Sequence, residues 1–115
     1  MSNEPVKTIG GTVHYLEKIA LLPNSTLYVS LLEVSLADAS AKELAHQVTP
    51  HAETAGLGFN LVYPMADVLP GHSYAISASI KTNGKLVFIT GERHSVELGV
   101  DHVKGQKILV SRVNH

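Results

Sequence analysis

The stretch SYAISASIKTNGKLVFIT, residues 73–90, decides the fold. Apolar and polar side chains alternate over residues 73–81, which is typical of an antiparallel strand with one buried face. The side chains expected to point inward are Tyr74, Ile76, Ala78 and Ile80. Asn83-Gly84 follows, and this dipeptide favours a two-residue type I′ turn because both of its residues tolerate positive φ. Residues 85–90 are therefore predicted to return as the partner strand of a β-hairpin.

Two more strands are predicted before this hairpin. Residues 26–36 are rich in Val, Leu and Tyr and are apolar on both faces, which indicates a central strand. Residues 59–63 alternate between apolar and polar side chains and end at Pro64. The segments before these strands, 22–25 and 50–58, contain Pro, Gly and polar residues and are predicted to be a turn and a loop.

The first strand is predicted over residues 8–16, with Ile9, Val13 and Tyr15 on one face. Gly10 and Gly11 lie next to each other early in this strand. Adjacent glycines inside a strand indicate a bulge or the close approach of another backbone.

Residues 37–48 are compatible with two interpretations. Ser40 and Glu43 fit a capping box, and the apolar residues up to Val48 keep helical spacing. Leu44, His46 and Val48 also alternate as they would in a strand. We favour the strand, because a sandwich topology requires one here.

The end of the chain completes an all-β pattern. Residues 92–105 are charged and loop-like, with a hint of a short strand, and residues 106–113 are predicted to form the last strand. About seven to eight short strands separated by turn residues predict an antiparallel β-sandwich.

Length and composition limit the function classes. The chain has 115 residues, 44% of them hydrophobic, with nine basic and ten acidic residues and no cysteine. This length predicts a single β-sandwich domain, over residues 8–115. Residues 1–7 contain little that could pack against it and are predicted to be a disordered N-terminal tail. The balanced charge gives no electrostatic footprint for nucleic acid or for an anionic membrane surface. No apolar run approaches the roughly 18 residues of a membrane span. Without cysteine, disulfides, thiolate zinc sites, thiol nucleophiles and a cysteine-linked lipid are excluded for these residues.

No local pattern predicts a reactive site. The histidines are His14, His46, His51, His72, His94, His102 and His115. No two of them have the i, i+2 or i, i+4 spacing that would place both on one face of a strand or helix. A Gly-x-Ser-x-Gly elbow and a glycine-rich phosphate loop are also missing from the sequence. We therefore predict no catalytic, cofactor-binding or metal-ligating residues, no cofactor and no enzyme activity.

An ordered series of short motifs resembles the YbaY/YscW-like family. The motifs are GTVHYLEKIA at 11–20 followed by Leu22-Pro23, LYVSL at 27–31, EVS at 33–35 with Ala37-Asp38, FNLVY at 59–63, PGHSY at 70–74 with SASI at 77–80, and GKLVF at 84–88. The resemblance runs from residue 6 to residue 113 and implies a bacterial all-β sandwich without known catalytic residues. The matching positions Gly11, Tyr15, Pro23, Phe59 and Tyr74 are expected to be turn and core positions.

The resemblance also implies a function. Members of this family are usually outer-membrane lipoproteins that face the periplasm, and some are pilotins that bind a type III secretion secretin and assist its delivery and assembly. We therefore expect a protein-binding or chaperone-like module whose partner is an envelope or secretion component. The alternative is a small-ligand or metal-binding β-sandwich, which the number of histidines motivates.

The partner and the location follow from the same expectation. A partner segment is predicted to add as a strand to the edge formed by residues 106–113. If a lipoprotein signal and its cysteine precede these residues, the protein lies at the periplasmic face of the outer membrane; otherwise it lies in the cytoplasm. No membrane insertion by these residues themselves is expected, and the oligomeric state stays open.

Overall fold

The computed structural model describes residues 5–34, 42–91, 94–98 and 103–113. Strands dominate these ranges. The strands are β1 (Val6–His14), β2 (Ser25–Glu33), β3 (Lys42–Thr49), β4 (Gly58–Pro64), β5 (Tyr74–Thr82), β6 (Lys85–Ile89), β7 (His94–Val96), β8 (Val103–Leu109) and β9 (Ser111–Arg112). One helical turn, α1 (Ala52–Ala55), precedes β4, and a 3₁₀ turn, Met65–Asp67, follows it. None of the described helices is long and apolar enough to cross a membrane.

The described strands form two sheets. The smaller sheet has the order β4-β1-β8, and the larger has the order β3-β2-β5-β6-β9. β7 pairs with the first half of β5, whereas β6 pairs with the second half, so both lie along the same edge of β5. The predicted all-β sandwich is confirmed; its strand pairs are antiparallel except for β1 with β8, which is parallel.

The core lies between the two sheets and takes side chains from both. Its fully buried members include Ile9, Val13, Leu27, Val29, Leu31, Leu61, Tyr63, Ile76, Ile80, Phe88, Ile108 and Val110. The four side chains of β5 predicted to point inward are all buried, as is Phe59. Period-two alternation on each strand therefore builds the core, because successive side chains point to opposite faces of a sheet.

The local turn and strand predictions are largely confirmed. Asn83 and Gly84 have φ values of 53° and 80°, as the predicted turn between β5 and β6 requires. Residues 42–49 form strand β3, so the strand interpretation is confirmed there, while residues 35–41 lie outside the described ranges. The predicted loop 50–58 differs in one respect, since it contains α1, whose Ala52 is buried in the core.

The first strand starts and ends two residues earlier than the predicted range of 8–16. β1 begins at Val6, because Val6 and Lys7 pair with Pro64 and Tyr63 of β4. The antiparallel ladder between these strands therefore extends two residues beyond the boundary that side-chain alternation indicated.

The prediction of one last strand over residues 106–113 is wrong. The chain pairs with β1 as far as Leu109, passes Val110, and then pairs with β6 through Ser111 and Arg112. Val110 donates its N–H to the His14 carbonyl at 2.9 Å and buries its side chain between the sheets. One run of alternating residues thus supplies a strand to each sheet, because the chain crosses between them without a turn residue.

Gly11 lets β1 and β8 approach closely. A Cβ atom at this position would lie 1.9 Å from the Gln106 carbonyl oxygen. The register between the two strands also shifts between Ile9 and Gly11, and Gly105 opposite has φ of 77°. Of the two alternatives predicted for the paired glycines, the close approach is therefore present in β1, whereas the additional residue of the bulge belongs to β8.

Ser25 connects the start of β2 to three neighbouring segments. It is fully buried, and its hydroxyl donates to the Leu22 carbonyl at 2.6 Å and lies 2.9 Å from the Thr82 hydroxyl. Its N–H donates to the Glu53 carboxylate at 3.0 Å. Burial raises the pKa of Glu53, but the backbone hydrogen bonds it accepts, together with His51 nearby, outweigh that effect and hold the pKa below its usual value.

We expect Gly11→Ala to lower the free energy of unfolding by about 3 kcal/mol or more, because the new methyl group would overlap backbone that cannot rotate away. Gly91→Ala is the matched control, since no atom lies within 4 Å of a Cβ built there. Urea denaturation of both variants measures the difference. Equal stability of the two variants would contradict the close approach of β1 and β8.

Glu53→Gln tests the charge of the carboxylate at Ser25. A carboxyl whose pKa is lowered in the folded state stabilises the protein above its unfolded pKa, about 4.5, and loses this effect as the pH falls through the folded value. We therefore expect the variant to be less stable than the wild type at pH 7 and the two to converge in acid. Thermal unfolding as a function of pH measures this, with Glu97→Gln as a control at an exposed position. A difference in stability between Glu53→Gln and the wild type that stayed the same at every pH would refute the prediction.

Candidate functional site

The two ends of the sandwich present different surfaces. One end, called the N-terminal end, carries the start of β1, the end of β2 and the segment between β4 and β5. The other, called the hairpin end, carries the loop between β1 and β2 and the β5–β6 turn. They are separated by the nine residues of β1, a length of about 30 Å.

The N-terminal end contains a groove of about 660 Å³, called the end groove. Its walls are the segment between β4 and β5 on one side and β7 with the residues after it on the other. The lining residues are Val68, Leu69, Pro70, Gly71, His72, Ser73, Tyr74, Ser95, Val96, Glu97 and Leu98. Aliphatic side chains on both walls therefore face a shared opening with polar groups at its margin.

Hydrogen bonds hold the first wall of this groove in place. The Tyr74 hydroxyl accepts the Leu69 N–H at 2.8 Å, and the His72 N–H donates to the Leu69 carbonyl at 3.2 Å. His72 also contacts the Glu33 carboxylate through Nδ1, which joins this segment to the end of β2. The groove is thus formed before anything binds in it, which lowers the entropy cost of binding.

The second wall includes an unpaired sheet edge. Among the described strands, β7 pairs only with β5, and β8 pairs only with β1, so the far edges of both strands lack a strand partner. His94 Nε2 and Gln106 Oε1, 2.9 Å apart, connect the two strands by side chains. The seam between the sheets that runs beside the groove is therefore bridged by these side chains and has no backbone ladder among the described strands.

The opposite seam is closed by a side chain. The Gln47 amide of β3 accepts the Asn60 N–H at 2.9 Å and donates to the Gly58 carbonyl at 3.2 Å, so it bonds the edge of β4 as a backbone peptide would. Unpaired edges invite pairing with another chain. The contrast makes the seam at β7 the more accessible of the two.

The hairpin end has a second apolar surface, called the aliphatic patch. It consists of the exposed side chains of Leu16, Ile19 and Leu22 and a cleft of about 620 Å³. Besides Leu22, the cleft is lined by Thr82, Lys85, Leu86, Val87, Arg112 and Val113. The aliphatic side chains of the β1–β2 loop are exposed to solvent, whereas those of the end groove line a shared opening.

The histidines considered as ligands are dispersed. His14 ends β1. His46 Nδ1 lies 3.3 Å from Glu43 Oε2, and His51 Nδ1 lies 3.5 Å from Glu53 Oε2. His72 contacts Glu33, and His94 contacts Gln106. His102 and His115 lie outside the described ranges. No three histidine or acidic side chains converge to hold a metal ion within the part of the chain that the structure describes.

Sequence reasoning missed both surfaces. The end groove depends on the pairing of β7 with β5, which joins residues about twenty positions apart. Pattern reasoning predicts a partner site along the edge formed by residues 106–113. β9 pairs with β6, whereas β8 pairs with β1 on one side and has no partner among the described strands on the other, so the predicted edge stays open only along β8. The available signal was the run of apolar residues around Pro70-Gly71, which a purely structural turn does not require.

Comparisons with known proteins agree with this fold. The model of the family described as type III secretion system lipoprotein chaperone (YscW) matches residues 4–108. The lipoprotein YbaY of Escherichia coli K12, itself described as uncharacterised, is 42% identical over 83 residues, which are 71% of this chain and 44% of that protein. The chain thus spans less than half the length of this curated relative.

A solved structure extends the likeness to three dimensions. The structure of an alternative pilotin from the type II secretion system of Vibrio cholerae superposes with a TM-score of 0.85 and 35% sequence identity, covering 96% of this chain and all of the pilotin chain. The family match covers nearly the whole chain and confirms the resemblance drawn from the short motifs. The chain therefore belongs to the YscW family of type III secretion system lipoprotein chaperones.

Proposed function

We propose that this domain is a pilotin-like module of the bacterial envelope that holds a segment of a secretin subunit in the end groove. Membership of a chaperone family and the likeness to a pilotin support a protein as the partner. The observation that carries the choice of site is the end groove beside the far edge of β7, which has no partner among the strands that the structure describes.

The groove offers two kinds of contact to an extended segment. The edge of β7 presents backbone N–H and C=O groups, which add a strand without regard to side chains. Leu69 and Leu98, on opposite walls, bury apolar side chains of the segment and select among sequences. Binding of this kind needs no catalytic residue, metal or cofactor.

In this role the domain lies at the periplasmic face of the outer membrane. YbaY is described as a lipoprotein and the family as lipoprotein chaperones, which supports an envelope location. In that compartment the module would keep the segment of a newly exported secretin subunit from pairing elsewhere, because an unprotected apolar strand aggregates.

We expect Leu69→Glu to weaken binding of the secretin subunit from the organism of origin at least tenfold, because a carboxylate in the groove loses water without gaining a partner. Val62→Glu is the matched control. Val62 is 52% exposed and lies on β4 outside the groove, against 44% exposure for Leu69. Calorimetry with purified secretin subunit measures the affinities, after circular dichroism has confirmed that both variants fold.

A test in cells distinguishes assistance of secretin assembly from binding of the secretin subunit alone. The amount of secretin multimer in the outer-membrane fraction should fall with Leu69→Glu and not with Val62→Glu. Secretin binding that both substitutions leave unchanged would overturn the choice of groove. Absence of secretin binding to the wild-type domain would overturn the proposed partner.

A further inference from the structure

The aliphatic patch has more exposed apolar surface than packing of the fold requires. Leu16, Ile19 and Leu22 are 75%, 48% and 66% exposed, and all three lie in one loop. Single exposed aliphatic residues are common, but three in one protruding loop form a cluster of the kind that marks an interaction surface.

The loop is held in a defined position. The Tyr15 ring stacks on Phe88 of the core with centroids 4.7 Å apart, and its hydroxyl donates to the Ile19 carbonyl at 2.6 Å. At the other end of the loop, the Ser25 hydroxyl bonds the Leu22 carbonyl. The backbone is therefore tied to the sandwich at both ends while the aliphatic side chains face solvent.

Charge is distributed unevenly between the two ends. Among the described residues, basic side chains outnumber acidic ones near the hairpin end: the basic ones are Lys18, Lys81, Lys85, Lys107 and Arg112, and the acidic ones are Glu17 and Glu53. The balance is reversed near the N-terminal end, where the acidic side chains are Glu33, Glu43, Asp67 and Glu97 and the basic ones are Lys7 and Lys42. Glu53 is already engaged by Ser25. Lys85 and Arg112 line the cleft of the patch itself. Among the described residues, basic side chains thus outnumber acidic ones near the aliphatic loop, and the acidic end lies at the opposite end of the sandwich.

We infer that the hairpin end docks on an anionic phospholipid bilayer, with Leu16, Ile19 and Leu22 entering the interface and Lys18, Lys85 and Arg112 contacting phosphate groups. Apolar side chains flanked by basic ones are the combination that holds a protein at such a surface. This contact is independent of the end groove, which lies at the opposite end of the sandwich.

The shape of the loop favours a bilayer over a folded protein partner. The Leu16 and Leu22 side chains are largely exposed, so a protein partner would need a surface of matching shape to cover both. Acyl chains rearrange around any protruding side chain and bury it without a preformed pocket. The basic residues around the loop also match a lipid surface, whose phosphate charges are numerous and evenly spread.

Vesicle binding of the purified chain tests this inference. The sequence contains no tryptophan, so Leu16→Trp supplies a single fluorescent probe in the loop. We expect a blue shift of its emission with phosphatidylethanolamine–phosphatidylglycerol vesicles, reduced by added salt, and little shift with phosphatidylcholine vesicles. Co-sedimentation should show a loss of about tenfold or more in partitioning when Lys18, Lys85 and Arg112 are replaced by Gln.

Matched variants separate the patch from general surface properties. Replacing Leu16, Ile19 and Leu22 by Ser should reduce co-sedimentation with anionic vesicles by a similar factor. The double variant Val6→Ser with Val62→Ser should not, since these residues, 53% and 52% exposed, lie on β1 and β4 of the smaller sheet and outside the patch. Lys42→Gln at the N-terminal end is the control for charge. Equal binding of patch and control variants, or no binding of the wild type to anionic vesicles at low salt, would overturn the inference.

Two other occupants have their own signatures. A blue shift of the tryptophan at position 16 that needs only high protein concentration and no lipid would identify a second copy of the chain, and would overturn the bilayer assignment. Loss of secretin binding when Leu16, Ile19 and Leu22 are replaced would also overturn the bilayer assignment, because it would assign the patch to the protein partner. Secretin binding that survives these substitutions, with vesicle binding lost, supports two separate surfaces.

Discussion

The close contact between Gly11 and the backbone of Gln106 determines where both surfaces lie. It sets β8 beside β1, and from that position the chain can cross at Val110 to reach β6. The Gln106 side chain contacts His94 and so connects β8 to β7. The crossing at Val110 brings Arg112 and Val113 to the cleft of the aliphatic patch. A single absent side chain thus positions one wall of the end groove and one side of the patch.

The predictable part of the fold is the part encoded by local pattern. The Asn83-Gly84 turn and the alternation along β5 specify a hairpin with one possible inward face, because slipping the register by one residue would expose the whole apolar set. Local pattern does not reveal that residues 106–113 divide between two sheets. Ile108 and Val110 point inward both in one continuous strand and in two strands of different sheets. Only the neighbouring strands decide that these two residues serve different sheets.

The candidate site was less accessible from sequence than the fold, for a related reason. A groove is defined by residues distant in the chain, and Leu69 and Leu98 have no sequence relation until β7 pairs with β5. The uneven distribution of charge between the two ends was equally hidden in the sequence. The net charge of −1 averages the two ends and conceals the clustering of basic residues around the β1–β2 loop. Topology has to be known before such clusters can be counted.

The position of the two surfaces constrains how an anchored domain could use them. With the hairpin end against a bilayer, the end groove would face away from it, where a partner in the aqueous space can reach β7. An acyl anchor attached before Pro5 would then have to extend past the length of β1, about 30 Å, which requires on the order of nine extended residues. A shorter connection would draw the acidic N-terminal end towards the lipid instead. The length of the connection would therefore select which of the two surfaces stays open to the partner.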